Sequence, residues 1–232
     1  MNAIILAAGL GSRFGEITKK THKALLPIGG VPNIERTIQC LIEFGIHDIN
    51  IVVGHLAENF HYLKVKYNCN LIYNADYYKY NNLFSFYKAM EYFEDTYMVD
   101  ADVVFFNNFL EKHNCSTYYV IDRNTNEPEW IPILDKSGFV SEIDINTYNS
   151  PSLLGVSFWK REDCILIKQR VIELISNKGE LHFIQNKYWD DIPKDLIPNI
   201  KVLTKKLNIY DAGEMDNIEN YIQLQNLYSE NL

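Results

Sequence analysis

The stretch IILAAGLGSRFG, residues Ile4 to Gly15, runs an apolar segment straight into a glycine-spaced loop that carries one arginine. An apolar run of this length, closed by glycine, reads as a buried strand over residues 3–8 that ends in a tight turn. The same alternation recurs downstream: a helical pattern over 33–44, a strand over 49–53, an amphipathic helix over 56–67, a short strand over 70–73, a helix over 82–93 and an apolar strand over 97–99 that ends in acidic residues. Strands separated by helices of that length need right-handed crossovers, so the chain predicts an α/β fold with a mainly parallel sheet. Ligands of such sheets bind beyond the carboxyl ends of the strands, where Gly9 and the pair Asp100 and Asp102 fall.

From about residue 107 the pattern loosens into β-rich runs over 117–121, 130–134, 140–145 and 153–159, then a helix over 163–176, a strand over 200–207 and a C-terminal helix over 216–228. These are expected to extend the sheet and wall the rest of the pocket. A chain of 232 residues with no Ser/Gly/Pro-rich tract predicts a single domain. Hydrophobic residues at 47% and charged residues at 22% exclude a disordered or collagen-like chain. No apolar stretch is long enough for a membrane span. The segment before Gly9 lacks the basic start and longer apolar core of a signal peptide, so a cytoplasmic protein is expected. Cys40, Cys69, Cys115 and Cys164 form no CxxC pair and are expected to be reduced thiols. A net charge of −8 argues against a nucleic-acid partner but leaves room for an anionic small molecule held by locally placed cations. The histidines at 22, 47, 55, 61, 113 and 182 show no ligand spacing and are expected to be surface or satisfied polar residues.

Three functional readings compete for the opening loop. A dinucleotide fingerprint needs G-x-G-x-x-G, but Phe14 stands where the third glycine belongs, and the strand over 49–53 ends in Gly54 and His55 without a ribose-binding acid. A P-loop needs Gly-Lys-Ser/Thr, and none follows. What remains is a triphosphate cradle, in which Gly9 and Gly11 bring backbone N–H groups close to phosphate oxygens while Arg13 and Lys23 add cations. The bland alternative is a strand-to-helix turn with solvated basic residues.

AIILAAGLGSRF followed by KALLPIGGVPNIERTI resembles the nucleotidyltransferase superfamily, which includes sugar-phosphate nucleotidylyltransferases and small cytidylyltransferases. YNNLFSFYKA, MVDADV, EW, LLGVSFW and YWDD then occur in the order found in bacterial CTP:phosphocholine cytidylyltransferases of the LicC type, so the resemblance covers nearly the full length. It implies a Rossmann-like, mainly parallel mixed sheet flanked by helices, of the nucleotide-diphospho-sugar transferase type. The CTP-binding half would span about 1–106, and the acceptor- and metal-binding half about 107–232. By resemblance Arg13 and Lys23 balance charge on the phosphates, residues 16–22 form a mobile lid, and the product serves decoration of surface polysaccharide or lipooligosaccharide. The nucleotide would lie along Leu6, Ala7, Ala8, Gly9, Gly11 and Ser12. Asn82 and Ser85 are candidate polar contacts to the base, although either residue type also caps helices.

In YMVDADVVF, period-two geometry puts Asp100 and Asp102 on one face at the strand end. Mg²⁺ takes oxygen ligands and commonly only one or two protein carboxylates. Asp102 occupies the position that carries the metal in the family, while Asp100 has either that role or a structural one. In IYDAGEMDNIENY, Asp216 and Glu219 have capping-box spacing, which leaves Glu214 unexplained. The resemblance implies instead that Glu214 and Asp216 join Asp102 at the metal, with the preceding DAG a local departure.

NEPEWIPIL and NKYWDDI set aromatic rings beside carboxylates. That combination suits a quaternary ammonium, which makes no strong hydrogen bond and is held by ring quadrupoles and opposite charge. Trp and Tyr in such segments are equally the material of a core. The resemblance favours Glu129, Trp130, Tyr188, Trp189 and Asp190 as acceptor walls and leaves Trp159 to pack in the sheet. The reaction so implied is CTP plus phosphocholine giving CDP-choline and pyrophosphate, with Arg13, Lys23 and Asp102 as the catalytic set and Mg²⁺ as cofactor. The rivals are another small phosphate or phosphonate acceptor, a sugar 1-phosphate, and a non-catalytic nucleotide-binding subunit.

Overall fold

A computed structural model describes residues 1–123, 127–147, 149–176 and 184–230. His182 lies outside the described residues. In chain order the elements are β1 (Asn2–Ala7), β2 (Pro27–Ile28), β3 (Val31–Pro32), α1 (Asn33–Glu43), β4 (Ile49–Val53), α2 (Tyr62–Tyr67), β5 (Asn70–Tyr73), α3 (Asn82–Ala89), β6 (Thr96–Asp100), β7 (Val103–Phe105), β8 (Ser116–Ile121), β9 (Glu129–Leu134), β10 (Val140–Asn146), β11 (Ser152–Trp159), α4 (Arg161–Ser176), α5 (Asp191–Leu196), β12 (Val202–Lys206), β13 (Ala212–Glu214) and α6 (Ile218–Glu230).

A seven-stranded sheet in the order β12-β8-β11-β6-β1-β4-β5 organises the chain. β1 pairs in parallel with both β4 and β6, and β11 is the antiparallel strand between β6 and β8. The sheet is therefore mixed but mainly parallel, and strands from both halves of the sequence share it in one domain. Because β1 is covered on both faces, every residue in it is buried and it reads as a continuous apolar run. Its alternate side chains feed two cores. Ala3, Ile5 and Ala7 share one core with Ile34, Ile38 and Leu41 of α1, whereas Ile4 and Leu6 share the other with Leu83 and Phe86 of α3 and Ile167 of α4.

The expected helix over 56–67 is broken, since Leu56 adopts a left-handed φ of 51° and a 3-10 turn precedes α2. The helix expected over 82–93 ends at Ala89 and closes in a 3-10 turn. The expected C-terminal helix starts later as well. Asn217, not Asp216, accepts the Asn220 N–H at 2.8 Å, so the capping-box reading of Asp216 is corrected and its carboxylate is free for the cleft. The short pairing of β7 with β13 has no periodic signature in the sequence, and it proves decisive for the site.

The four cysteines are unpaired, Cys69 and Cys164 buried and Cys40 and Cys115 half-buried. No helix among the described residues is long and apolar enough to cross a membrane.

Candidate active site

A cleft of about 520 Å³ opens at the carboxyl ends of β1 and β6. Leu6, Ala7, Ala8, Gly9, Gly11, Ser12, Arg13, Lys23, Asn82 and Ser85 all line it. Gly11 takes a left-handed φ of 61°, and a Cβ there would stand 2.9 Å from Thr18 Cγ2, so both backbone and space require glycine. Among the described residues the N–H groups of Gly9, Leu10 and Gly11 have no acceptor in the protein. They supply the row of donors that an anion nest needs. Phe14 stands where a dinucleotide fingerprint would have glycine and is buried with Met215 and Val104 in a small core.

The segment expected as a mobile lid makes hydrogen bonds with the loop and with His55. Thr18 Oγ1 donates to the Gly11 carbonyl at 3.0 Å, and Thr18's own carbonyl bonds the His55 ring at 2.7 Å. These contacts, with His22 on the Gly9 carbonyl, anchor residues 16–22 against the loop.

Three carboxylates converge on the cleft. β6 stops at Asp100, the chain turns, and β7 starts at Val103, leaving Asp102 in the turn. Asn33, at the start of α1, holds that turn by donating to the carbonyls of Ala101 at 3.1 Å and Val103 at 2.8 Å. β13 then lies antiparallel to β7 with Glu214 opposite Val103, and the Met215 N–H donates to the Asp102 carbonyl at 2.9 Å. Oxygens of Asp102, Glu214 and Asp216 consequently lie within 4.8 Å of one another. The DAG departure has a steric cause: a Cβ on Gly213 would come within 2.4 Å of Leu224 on α6.

This donor set fits a divalent cation. It is all oxygen, as a hard ion prefers, and Asp102 Oδ1 is buried without a hydrogen-bond partner among the described residues. The surrounding cations are engaged with the same carboxylates. Lys23 pairs with Asp102, Arg13 with Asp216 at 3.2 Å, and Arg123 with Glu214 at 2.5 Å. Burial works against the Lys23 ammonium, but the charge and hydrogen bond of Asp102 outweigh it and raise its pKa. Burial pushes Glu214 up to about 8 despite Arg123, with Asp102 and Asp216 adding to the rise. Burial, then the charges of Asp102, Asp190 and Glu214, hold Asp100 well above the carboxylate range.

The far end of the cleft is aromatic and acidic. Trp130 and Tyr188 meet edge to face, with ring centroids 6.1 Å apart at 77°, and Glu129 and Asp190 line the same space. Trp189 does not join them and is corrected to a core residue. It is only 3% exposed and packs on Phe86, Phe93 and Trp159, because its backbone N–H is pinned to Asn82 Oδ1 at 2.8 Å and the ring points into the sheet. Trp159 is fully buried, as expected.

Arg123 has no counterpart in the sequence reading. It also reaches Glu129 at 3.5 Å and donates to Ser152 Oγ at 2.9 Å, joining the acidic and aromatic ends of the cleft. A single arginine just after an apolar strand carries too little pattern to be noticed, and Asn33, within the quoted VPNIERTI, was legible only as part of a helix.

Burial, then the neighbouring Asp191 charge, raises Asp190 to about 8. Between its unfolded value near 4 and that folded value, the native state holds a proton that the unfolded chain releases. The resulting stabilisation is complete below about pH 4 and is lost as pH climbs towards 8. Asp190→Asn should therefore raise the melting temperature of the metal-free protein at pH 8, by roughly 3 °C or more, and flatten its decline between pH 5 and 8. Parallel melting curves for variant and wild type across that range would remove the assignment.

Amide donors and cations at one end of a cleft, beside a carboxylate cluster suited to a metal, can bring two phosphate-bearing anions together, and this is the arrangement of a nucleotidyltransferase. Residues 3–116 match the MobA-like NTP transferase domain family. The chain belongs, more narrowly, to the choline-phosphate cytidylyltransferase family: it is 48% identical over 223 residues to the choline-phosphate cytidylyltransferase of Haemophilus influenzae, covering 95% of this chain and 94% of that one. The solved structure of CTP:phosphocholine cytidylyltransferase (LicC) from Streptococcus pneumoniae matches with a TM-score of 0.92 at 36% identity, covering 97% of this chain and 98% of that one. A 2-aminoethylphosphonate cytidylyltransferase of Lancefieldella rimae is 29% identical over 222 residues, covering 94% of this chain and 89% of that one.

Proposed function

We propose that the chain transfers the cytidylyl group of CTP to phosphocholine. An oxygen of the phosphocholine phosphate bonds to the α-phosphorus as the α–β bridge breaks, giving CDP-choline and pyrophosphate. The observation that carries this reading is the pair of Trp130 and Tyr188, set at 77° beside Glu129 and Asp190 in the same cleft as the glycine loop. Aromatic ring surface beside the Glu129 carboxylate suits a trimethylammonium group, and the likeness to choline-phosphate cytidylyltransferases supports the same acceptor.

The acceptor phosphate has a second pKa near 6 by analogy with phosphorylated side chains, so it is largely a dianion at neutral pH and needs no general base. The problem is repulsion between two anions. A magnesium ion would supply charge neutralisation between them, held by Asp102, Glu214 and Asp216. Arg13 and Lys23, which stand beside those carboxylates, would offset charge on the departing pyrophosphate, while the loop amides would orient the triphosphate. Asn82 and Ser85 spend their oxygens on acceptor contacts, to Trp189 N–H and to Asn74 Nδ2 at 3.0 Å, so each keeps a donor for the O2 and N3 acceptors of cytosine.

The test is pyrophosphate release from CTP and Mg²⁺ with phosphocholine, phosphoethanolamine, 2-aminoethylphosphonate and glucose 1-phosphate in parallel. Strong preference for phosphocholine is expected. Preference for a primary amine would keep the transferase and remove the aromatic acceptor site, and no release with any acceptor would remove the transferase. Trp130→Ala should raise the KM for phosphocholine about 3- to 30-fold and leave that for CTP unchanged. An equal rise in both would exclude the ring from the acceptor site.

A further inference from the structure

We propose that His22 is a positioning residue that sets the peptide planes of the glycine loop, so that its N–H groups face the triphosphate. The inference rests on the reading that CTP places its phosphates at this loop. His22 is only 1% exposed, and both of its ring nitrogens are used. Nδ1 accepts from the Ala24 N–H at 3.1 Å, so the proton sits on Nε2, which donates to the Gly9 carbonyl at 2.9 Å. Burial lowers the ring's pKa to about 4, which keeps this neutral tautomer at neutral pH. The edge of Phe60, with ring centroids 5.0 Å apart, holds the imidazole in place.

A trans peptide points its carbonyl and its N–H in opposite directions. Fixing the Gly9 carbonyl on His22 thus turns the Leu10 N–H away from the histidine, and that N–H has no acceptor among the described residues. The device recurs one peptide pair further on. The Gly11 carbonyl accepts from Thr18 Oγ1 at 3.0 Å and from the Phe14 N–H at 2.9 Å, which turns the Ser12 N–H away from Thr18. Thr18 is itself held by His55 through its carbonyl. Glycine peptides otherwise rotate with little restraint, and each wrong rotamer lowers the fraction of molecules competent to bind. None of these groups touches the acceptor end, so the effect should fall on CTP alone.

The experiment compares KM for CTP and for phosphocholine in wild type, His22→Asn, His22→Gln and Thr18→Val, with melting temperatures alongside. Asparagine keeps an acceptor for Ala24 but cannot reach Gly9, whereas glutamine places an amide N–H near the Nε2 position. The expected result is a CTP KM about tenfold higher in His22→Asn and Thr18→Val, a phosphocholine KM changed less than about twofold, and recovery of most of the loss in His22→Gln. Equal shifts in both KM values, or glutamine no better than asparagine, would overturn the role of His22. Should His22→Asn fail to fold, Thr18→Val and His22→Gln against wild type decide: an unchanged CTP KM in the former, or an equal rise in both KM values in the latter, overturns it. Absence of CTP turnover in wild type would instead strike at the underlying reading of the loop.

Discussion

Asp102→Asn should lower turnover at saturating CTP and phosphocholine by about 10²- to 10³-fold while the protein stays folded. The physical basis is local. Asp102 sits in the turn between β6 and β7, its Oδ1 is buried with no hydrogen-bond partner among the described residues, and it shares a 4.8 Å cluster with Glu214 and Asp216. Asparagine keeps the shape, the bond from Met215 N–H to the carbonyl of residue 102 and the Asn33 bonds to the flanking carbonyls of Ala101 and Val103, but removes the charge that both a cation and Lys23 require. Initial rates of pyrophosphate release, with near-ultraviolet circular dichroism to verify packing, measure the effect. Undiminished turnover would show that no essential cation is held by Asp102. Glu214→Gln should be the milder change, since burial already pushes that carboxyl up to about 8 and glutamine can keep a hydrogen bond to Arg123.

Trp189→Ala should act on the fold and not on the choice of acceptor. The indole is 3% exposed and packed against Phe86, Phe93 and Trp159, so truncation leaves a cavity worth about 3–5 kcal/mol. For a chain of this size that corresponds to a melting temperature lower by roughly 6 °C or more. The KM values for CTP and phosphocholine should shift together, if at all. A selective rise for phosphocholine with an unchanged melting temperature would return Trp189 to the acceptor wall. Its neighbour Tyr188 faces the cleft, which makes Tyr188→Ala the natural contrast.

The two residues illustrate why adjacent positions in one motif resist reading from sequence. YWDD places two aromatic rings side by side, and nothing in their spacing says which one turns inward. The bond from Trp189 N–H to Asn82 Oδ1, a contact between distant parts of the chain, makes that choice. Likewise DNIE has the spacing of a capping box at Asp216, yet Asn217 takes the cap and Asp216 pairs with Arg13. Local chemistry allows both arrangements, and only packing of α6 over Gly213 and the small core around Met215 selects one.

The sequence by itself determined the α/β sheet and the glycine loop at the end of β1, because apolar runs and glycine punctuation act locally and repeat with the period of the elements they build. It also marked the pair Asp100 and Asp102, since acids at the end of a buried strand lie at the sheet's carboxyl edge, while the choice of Asp102 between them came from the family resemblance. The meeting of Asp102 with Glu214 and Asp216, the reach of Arg123 across the cleft and the grip of His22 on Gly9 were decided only by tertiary structure. Each joins side chains to groups brought near by strand pairing or loop closure, and such contacts leave no periodic trace along the chain.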